Sequence, residues 1–119
     1  MTREIKFRVW IKKYKRMSEV TSLFPRRKSL QCTFDRYTFD EVELMESTGL
    51  KDRNGTDIYE GDILDYDGEL WEVQYSIDDG MFVLYYDHVT ENFSNMNSKW
   101  FDVIGNIYKN PDLLEVGEE

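Results

Sequence analysis

The sequence predicts a mainly β protein, and three observations carry that expectation. Aromatic side chains make up 15% of the 119 residues, and they favour pleated, half-buried surfaces. Runs that alternate apolar and polar residues recur along the chain, the period of a strand with one covered face. Between such runs stand Asn54-Gly55, Asp67-Gly68 and Asp79-Gly80, dipeptides that reach positive φ cheaply and so suit two-residue type I′ hairpin turns.

The first element is "EIKFRVWIKKYKRM". Ile5, Phe7, Val9 and Ile11 fall on one face and Lys6, Arg8 and Lys12 on the other, with Trp10 between them. "KKYK" then serves as a turn and "RMSEVTSLF" as the return strand, giving an N-terminal hairpin over residues 1–24 with a basic outer face. From Pro25 to about Asp40 the alternation weakens, so this stretch reads as a loop with at most a short strand around Leu30–Phe34. "VELMEST" resumes as a strand.

A meander follows. Trp71, Val73, Tyr75 and Ile77 alternate with Glu72, Gln74 and Ser76. In "MFVLYYD" both alternating sets, Phe82, Leu84, Tyr86 and Met81, Val83, Tyr85, suit burial, so this strand should be covered on both faces. Gly61, inside "YEGD", is expected to mark a bulge or a sharp bend that lets a short strand curl toward barrel closure, and Gly105 a bulge. Residues 87–99 are polar and read as one long loop. "NPDLLEVGEE" offers an Asn cap and a Pro at the first helical position, which predicts a short C-terminal helical turn and then a frayed tail. The expected architecture is a single domain over 1–119. Its core is a small SH3-like barrel or strongly bent antiparallel sheet over 42–108, with the hairpin attached.

Charge is unevenly placed. Residues 1–30 hold ten Lys/Arg and two acids, while 31–119 hold five Lys/Arg and 22 acids, within a net charge of −9. Overall acidity argues against general coating of DNA, which needs a concentrated basic surface. A single cysteine, Cys32, rules out an internal disulfide and suits a reducing compartment. No apolar run approaches the length of a membrane span, and the N-terminus lacks the apolar core of an export signal, so an intracellular protein away from membranes is expected. On that expectation the Asn-x-Ser/Thr sequons at Asn54 and Asn92 carry no glycan.

The acidic stretch "TGLKDRNGTDIYEGDI" invites a search for chemistry. An EF-hand alignment from Asp52 puts Asp57 where glycine is needed and Ile63 where a bidentate Glu is needed; one from Ile63 starts on an apolar residue and ends on Gln74. Asp57, Glu60, Asp62 and Asp65 are the best candidates for a magnesium site, weighed against a solvated acidic edge that discourages strand pairing. His88 is the only histidine and Cys32 has no nearby partner in sequence, which leaves nucleophilic catalysis little to build on. No metal, cofactor or catalytic residue is therefore expected. The candidate interaction surface is Trp10, Lys12, Lys13, Tyr14, Lys15 and Arg16, with Arg26, Arg27 and Lys28. Such aromatic–basic faces bind protein partners, a second copy of the chain, or single-stranded nucleic acid.

Three blocks together resemble the YopX family of bacteriophage and prophage proteins: "REIKFRVW" followed by Lys13 and Met17, "TGLKDRNGTDIYEGDIL", and "DVIGNIYKNPDLL". They cover about a third of the chain, in the family's order. Ser47 departs from the aromatic common before the threonine of the middle block, and residues 18–43 match no pattern of the family. The resemblance implies a cytoplasmic, phage-encoded, mostly β protein in a bacterial host. It supplies no catalytic residue and no ligand. The expected role is accordingly a non-catalytic interaction module with a protein partner, and a nucleic-acid-binding accessory protein is the alternative.

Overall fold

A computed structural model describes residues 6–93 and 97–115. Ile5, most of the predicted tail and positions 94–96 of the predicted loop lie outside that range. The described residues form eleven strands in two antiparallel sheets, with orders β4-β3-β2-β1-β5-β6 and β10-β9-β8-β7-β11, and several short 3-10 turns. Contacts divide the chain into two compact units, residues 1–47 and 48–119.

In the first unit the predicted hairpin is present as β1 (Phe7–Ile11) and β2 (Arg16–Phe24). Its alternation is realised: Val9 and Ile11 are fully buried, while Arg8 and Trp10 face the other way and are half-buried. β5 (Val42–Lys51) flanks β1 on its second side, with Val9 opposite Leu44 and Ile11 opposite Val42. The stretch expected to be a loop with a short strand around Leu30–Phe34 does hold a strand there, and it is structured on either side as well. A 3-10 turn at Pro25–Arg27 leads into β3 (Ser29–Cys32) and β4 (Arg36–Thr38), and a second 3-10 turn, Phe39–Glu41, leads into β5. Strands of four and three residues are too short to show a period, which is why the sequence marks the first only loosely and hides the second.

β2 pairs with β1 along its first half and with β3 along its second, and its register shifts between Val20 and Ser22. That irregularity bends the strand. Val9, Ile11 and Val42 on one side, and Leu30, Cys32 and Tyr37 on the other, then close over one core. Each fully withdrawn aliphatic side chain here stabilises the unit by about 2 kcal/mol.

The second unit holds β6 (Asp57–Tyr59), β7 (Asp62–Tyr66), β8 (Glu69–Ser76), β9 (Met81–Tyr86), β10 (Val89–Asn92) and β11 (Asp102–Asn106). Its core is Ile58, Leu64, Trp71, Val73, Leu84, Phe93 and Phe101, with the Phe93 and Phe101 rings edge to face at 6.3 Å. β9 is covered on both faces as expected, since Val83 and Leu84 are both buried.

Three expectations are corrected. No closed barrel is detected among the described residues. Of the bulge or sharp bend expected at Gly61, the bend is present: Glu60 and Gly61 form a tight turn, Gly61 at φ 88, that carries the chain from β6 in one sheet to β7 in the other. A sheet change at this point replaces the curling that barrel closure would need. Of the three dipeptides, only Asp67-Gly68 has positive φ at both residues, 52 and 90. Asn54-Gly55 and Asp79-Gly80 instead close longer connections, with positive φ at the glycine alone. Lastly, the long loop predicted at 87–99 contains β10 and a 3-10 turn at Ser98–Trp100. Gly105 does sit at the predicted bulge, where the β7–β11 register shifts between Val103 and Gly105.

The β9–β10 turn has both central residues, Asp87 and His88, at positive φ (47 and 69) without a glycine. A non-Gly residue in this region is strained by about 1–2 kcal/mol. His88→Gly is expected to raise stability by about 1 kcal/mol, allowing for the added freedom of the unfolded chain. A urea melt with an unchanged or lower midpoint would show that the His88–Tyr85 contact outweighs the strain.

Candidate functional site

The acidic signature block proves to be a set of stitches. Asp52 is buried, 3% exposed. Its Oδ1 accepts the backbone N–H groups of Asn54 (2.8 Å) and Thr56 (2.9 Å), and its Oδ2 accepts that of Val103 (2.9 Å), at the start of β11. Burial pushes this carboxyl up, but the N–H groups of Val103, Thr56 and Asn54, aided by the Arg53 charge, outweigh it and hold the carboxyl below its ordinary range. Arg53 donates from its backbone N to Phe101 O (3.1 Å) and from Nη2 to Trp100 O (2.8 Å). Asn54 Nδ2 donates to Asp102 Oδ1 at 2.9 Å.

The same holds at the sheet change. Asp62, 1% exposed, accepts the Tyr59 N–H on Oδ2 at 2.8 Å. Gly61 N donates to Val73 O and Gly61 O accepts from Ile107 N, so both peptide groups of this residue tie the turn to the second sheet. Thr48 Oγ1 donates to Ile58 O at 2.9 Å. Expecting these acids to be a solvated edge fails for Asp62, which is buried; Asp57 pairs with Lys51 at 2.7 Å. Asp52, which accepts three backbone N–H groups, is not among the carboxylates weighed for a magnesium site, because its Val103 partner lies 51 positions away. Among the described residues no group of three or more His, Cys, Asp or Glu is placed to hold a metal ion. Cys32 is buried in the first unit's core, and His88 sits in a turn of the second unit with Nδ1 3.2 Å from the Tyr85 hydroxyl.

The candidate basic surface is divided by the fold. Lys12–Lys15 form the β1–β2 turn, closed by Lys15 N donating to Ile11 O at 2.8 Å, and residues 12–16 are all exposed. Lys13 and Arg16 lie 5.5 and 5.3 Å from the centre of the Tyr14 ring, which is 53% exposed. Lys12 is drawn away: its Nζ donates to Asp40 O and pairs with Glu43 Oε2 at 3.5 Å. Trp10 lies within β1, opposite Met17 and Glu43, away from the tip. Arg26, Arg27 and Lys28 fall at the far end of nine-residue β2, up to about 26 Å along an extended strand. That far end has a member the sequence did not single out: the Arg36 guanidinium stands 4.8 Å over the Phe24 ring. The structure thus assembles Lys13, Tyr14, Lys15 and Arg16 into one cationic tip and sets Arg26–Lys28 apart.

Two antiparallel sheets, connected through a glycine turn with buried carboxylates on backbone amides beside it, define a small, mainly β protein with an exposed cationic hairpin tip. The chain belongs to the YopX family: the family model described as YopX protein matches residues 6–115. It is similar to protein EF1440 from Enterococcus faecalis, at 32% identity over 95% of this chain and 99% of that one, with a TM-score of 0.73. It shares its fold with yopX from Bacillus subtilis, at 20% identity over 92% and 95% of the two chains, with a TM-score of 0.63. No curated protein matches it. Among the described residues no helix is long and apolar enough to cross a membrane.

Proposed function

We propose that the protein is a non-catalytic interaction module, encoded by a phage or prophage and acting in the bacterial cytoplasm, which engages an acidic protein surface through the tip formed by Lys13, Tyr14, Lys15 and Arg16. One observation carries this. In a chain with 24 acids, Lys13 and Lys15 are exposed and, among the described residues, make no ion pair, whereas nearby Lys12 does. Exposed ion pairs contribute little stability, so leaving these cations open costs the fold little. It creates a local positive field that steers an acidic partner and sets its orientation. Of the carboxylates weighed as a magnesium site, Asp62 and Asp65 accept backbone N–H groups and Asp57 pairs with Lys51, which supports the non-catalytic reading.

Replacing Lys13, Lys15 and Arg16 together with Gln is expected to lower capture of partner proteins from infected host cells at least ten-fold, with the melting temperature unchanged. Capture should also fall in salt, because the contact is exposed and screened. Undiminished capture by the triple variant would refute the assignment of this surface. The second reading, a nucleic-acid-binding accessory protein, rests on the exposed Tyr14 ring between two cations, a stacking platform for a single strand. Binding of a fluorescent single-stranded oligonucleotide, lost on Tyr14→Ala, would favour it over the first.

A further inference from the structure

The second unit carries a tip of the opposite kind. Ile77, 88% exposed, sits in the four-residue connection between β8 and β9, beside Asp78 and Asp79. Around it lie Tyr75, 44% exposed, and Met81, 37% exposed, and the Phe82 ring meets Tyr75 edge-on at 5.2 Å. The tip is held in shape. Gly80 N donates to Ser76 O at 2.8 Å, Ser76 Oγ donates to Asp79 Oδ2 at 3.0 Å, and Asp79 N donates to Ser76 Oγ at 3.2 Å. The result is an ordered apolar knob bordered by two carboxylates. Exposed apolar clusters with a polar rim mark contact sites.

Charge complementarity identifies the occupant. Residues 1–47 carry eleven Lys/Arg and seven Asp/Glu; residues 48–119 carry four and seventeen. At the first unit's tip, Lys13 and Arg16 flank an exposed aromatic and Lys15 follows it in the same turn; at the second's, Asp78 and Asp79 border an exposed aliphatic. We propose that the partner of the cationic tip is a second copy of this chain, presenting its Ile77–Gly80 tip, with Ile77 packed on Tyr14 and Asp78 and Asp79 facing Lys13 and Lys15. This rests on the interaction-module reading above and names its partner. The contact joins two different patches, so it is heterologous. Two hairpin tips bury less than a standard interface, which places the affinity in the weak, transient class.

The test is a charge exchange read by sedimentation velocity at low salt. The wild-type chain should gain mass steadily with protein concentration and lose that gain in about 0.5 M salt, where the screening length shrinks to a few ångströms. Lys13→Glu with Lys15→Glu should abolish the gain, and so should Asp78→Lys with Asp79→Lys. Mixing the two variants should restore association in equal proportions, because the native acidic tip of one meets the native basic tip of the other and the two exchanged tips also match in charge. Combining all four changes in one chain should restore self-association. Ile77→Ser, which leaves every charge in place, should weaken it at least ten-fold. All five positions are exposed, and unchanged melting curves will verify that each variant folds.

A wild-type chain that stays monomeric at the highest concentrations, or association indifferent to the Asp78/Asp79 changes, overturns the proposal. If the lysine variant loses capture of a host protein while the aspartate variant keeps it and neither alters self-association, the interaction-module reading stands and the second copy is excluded. If the lysine variant loses only oligonucleotide binding, both are overturned.

Discussion

Asp52→Ala is expected to destabilise the second unit by about 3–5 kcal/mol, a large fraction of the stability of a domain this size. The carboxylate is buried and its two oxygens serve three backbone N–H groups, two within its own turn and one on β11. A hydrogen bond to a charged acceptor is worth about 1.5–3 kcal/mol, and removing the acceptor leaves its buried donors unsatisfied. Asp52→Asn should cost roughly half as much, since Oδ1 can still accept while an amide N–H₂ now opposes the Val103 N–H. A urea titration checks both, and a midpoint shift under 1 kcal/mol for Ala would mean that water replaces the carboxylate.

The same residue sets a pH dependence. Its carboxyl is held below the ordinary range in the folded state, so the folded form binds the proton less readily than the unfolded chain does. The stabilisation is fully present above the unfolded value of about 3.9 and is lost as pH falls through the lower folded value. Asp52→Asn should therefore flatten the acid limb of stability against pH while lowering the plateau. Asp40, whose carboxyl is lowered chiefly by the Thr38 hydroxyl, keeps its own contribution in that variant. An acid limb unchanged in Asp52→Asn would assign acid sensitivity to Asp40 and other carboxylates instead.

Asp52 also marks the boundary of what the sequence discloses. The β1 alternation, the β8–β9 meander and the Gly105 bulge are legible because they are local: the side-chain period and the glycine carry the information within a few residues. The Asp87–His88 turn is hidden because no glycine announces its positive φ. Whether β7 continues the sheet of β6 or starts another is a tertiary matter; Gly61 signals the turn but not its destination. The carboxylates of the signature block resembled chemistry because a charged residue in sequence carries no record of being buried. The basic residues form one group by charge in the sequence, yet β2 separates Arg16 from Arg26, and Lys12 is diverted by Asp40 and Glu43 from other elements.

Gly105→Ala is expected to destabilise by about 1–3 kcal/mol, the range for overpacking a filled site. A Cβ there would stand 2.5 Å from Asn110 Oδ1 and 3.1 Å from Leu113 Cδ1. The Asn110 side chain cannot simply swing away. Its Oδ1 accepts from Asn106 N at 3.2 Å, its N donates to Asn106 O at 2.8 Å, and its O accepts from Leu113 N at 3.1 Å, opening the 3-10 turn Pro111–Glu115. Moving the amide forfeits the bond to β11 that docks this turn. Against the clash stands a gain of about 0.4–1 kcal/mol, because alanine restricts the unfolded chain more than glycine does. In the single variant the clash is the larger effect. In Gly105→Ala/Asn110→Ala the amide is gone, only Leu113 must yield by a few tenths of an ångström, and the gain from alanine survives. The double variant should thus be at least as stable as Asn110→Ala alone, with an interaction energy of about 1–2 kcal/mol in the cycle of four proteins. Strictly additive losses in urea melts would show that glycine is required for the bulge backbone itself and not to make room for Asn110.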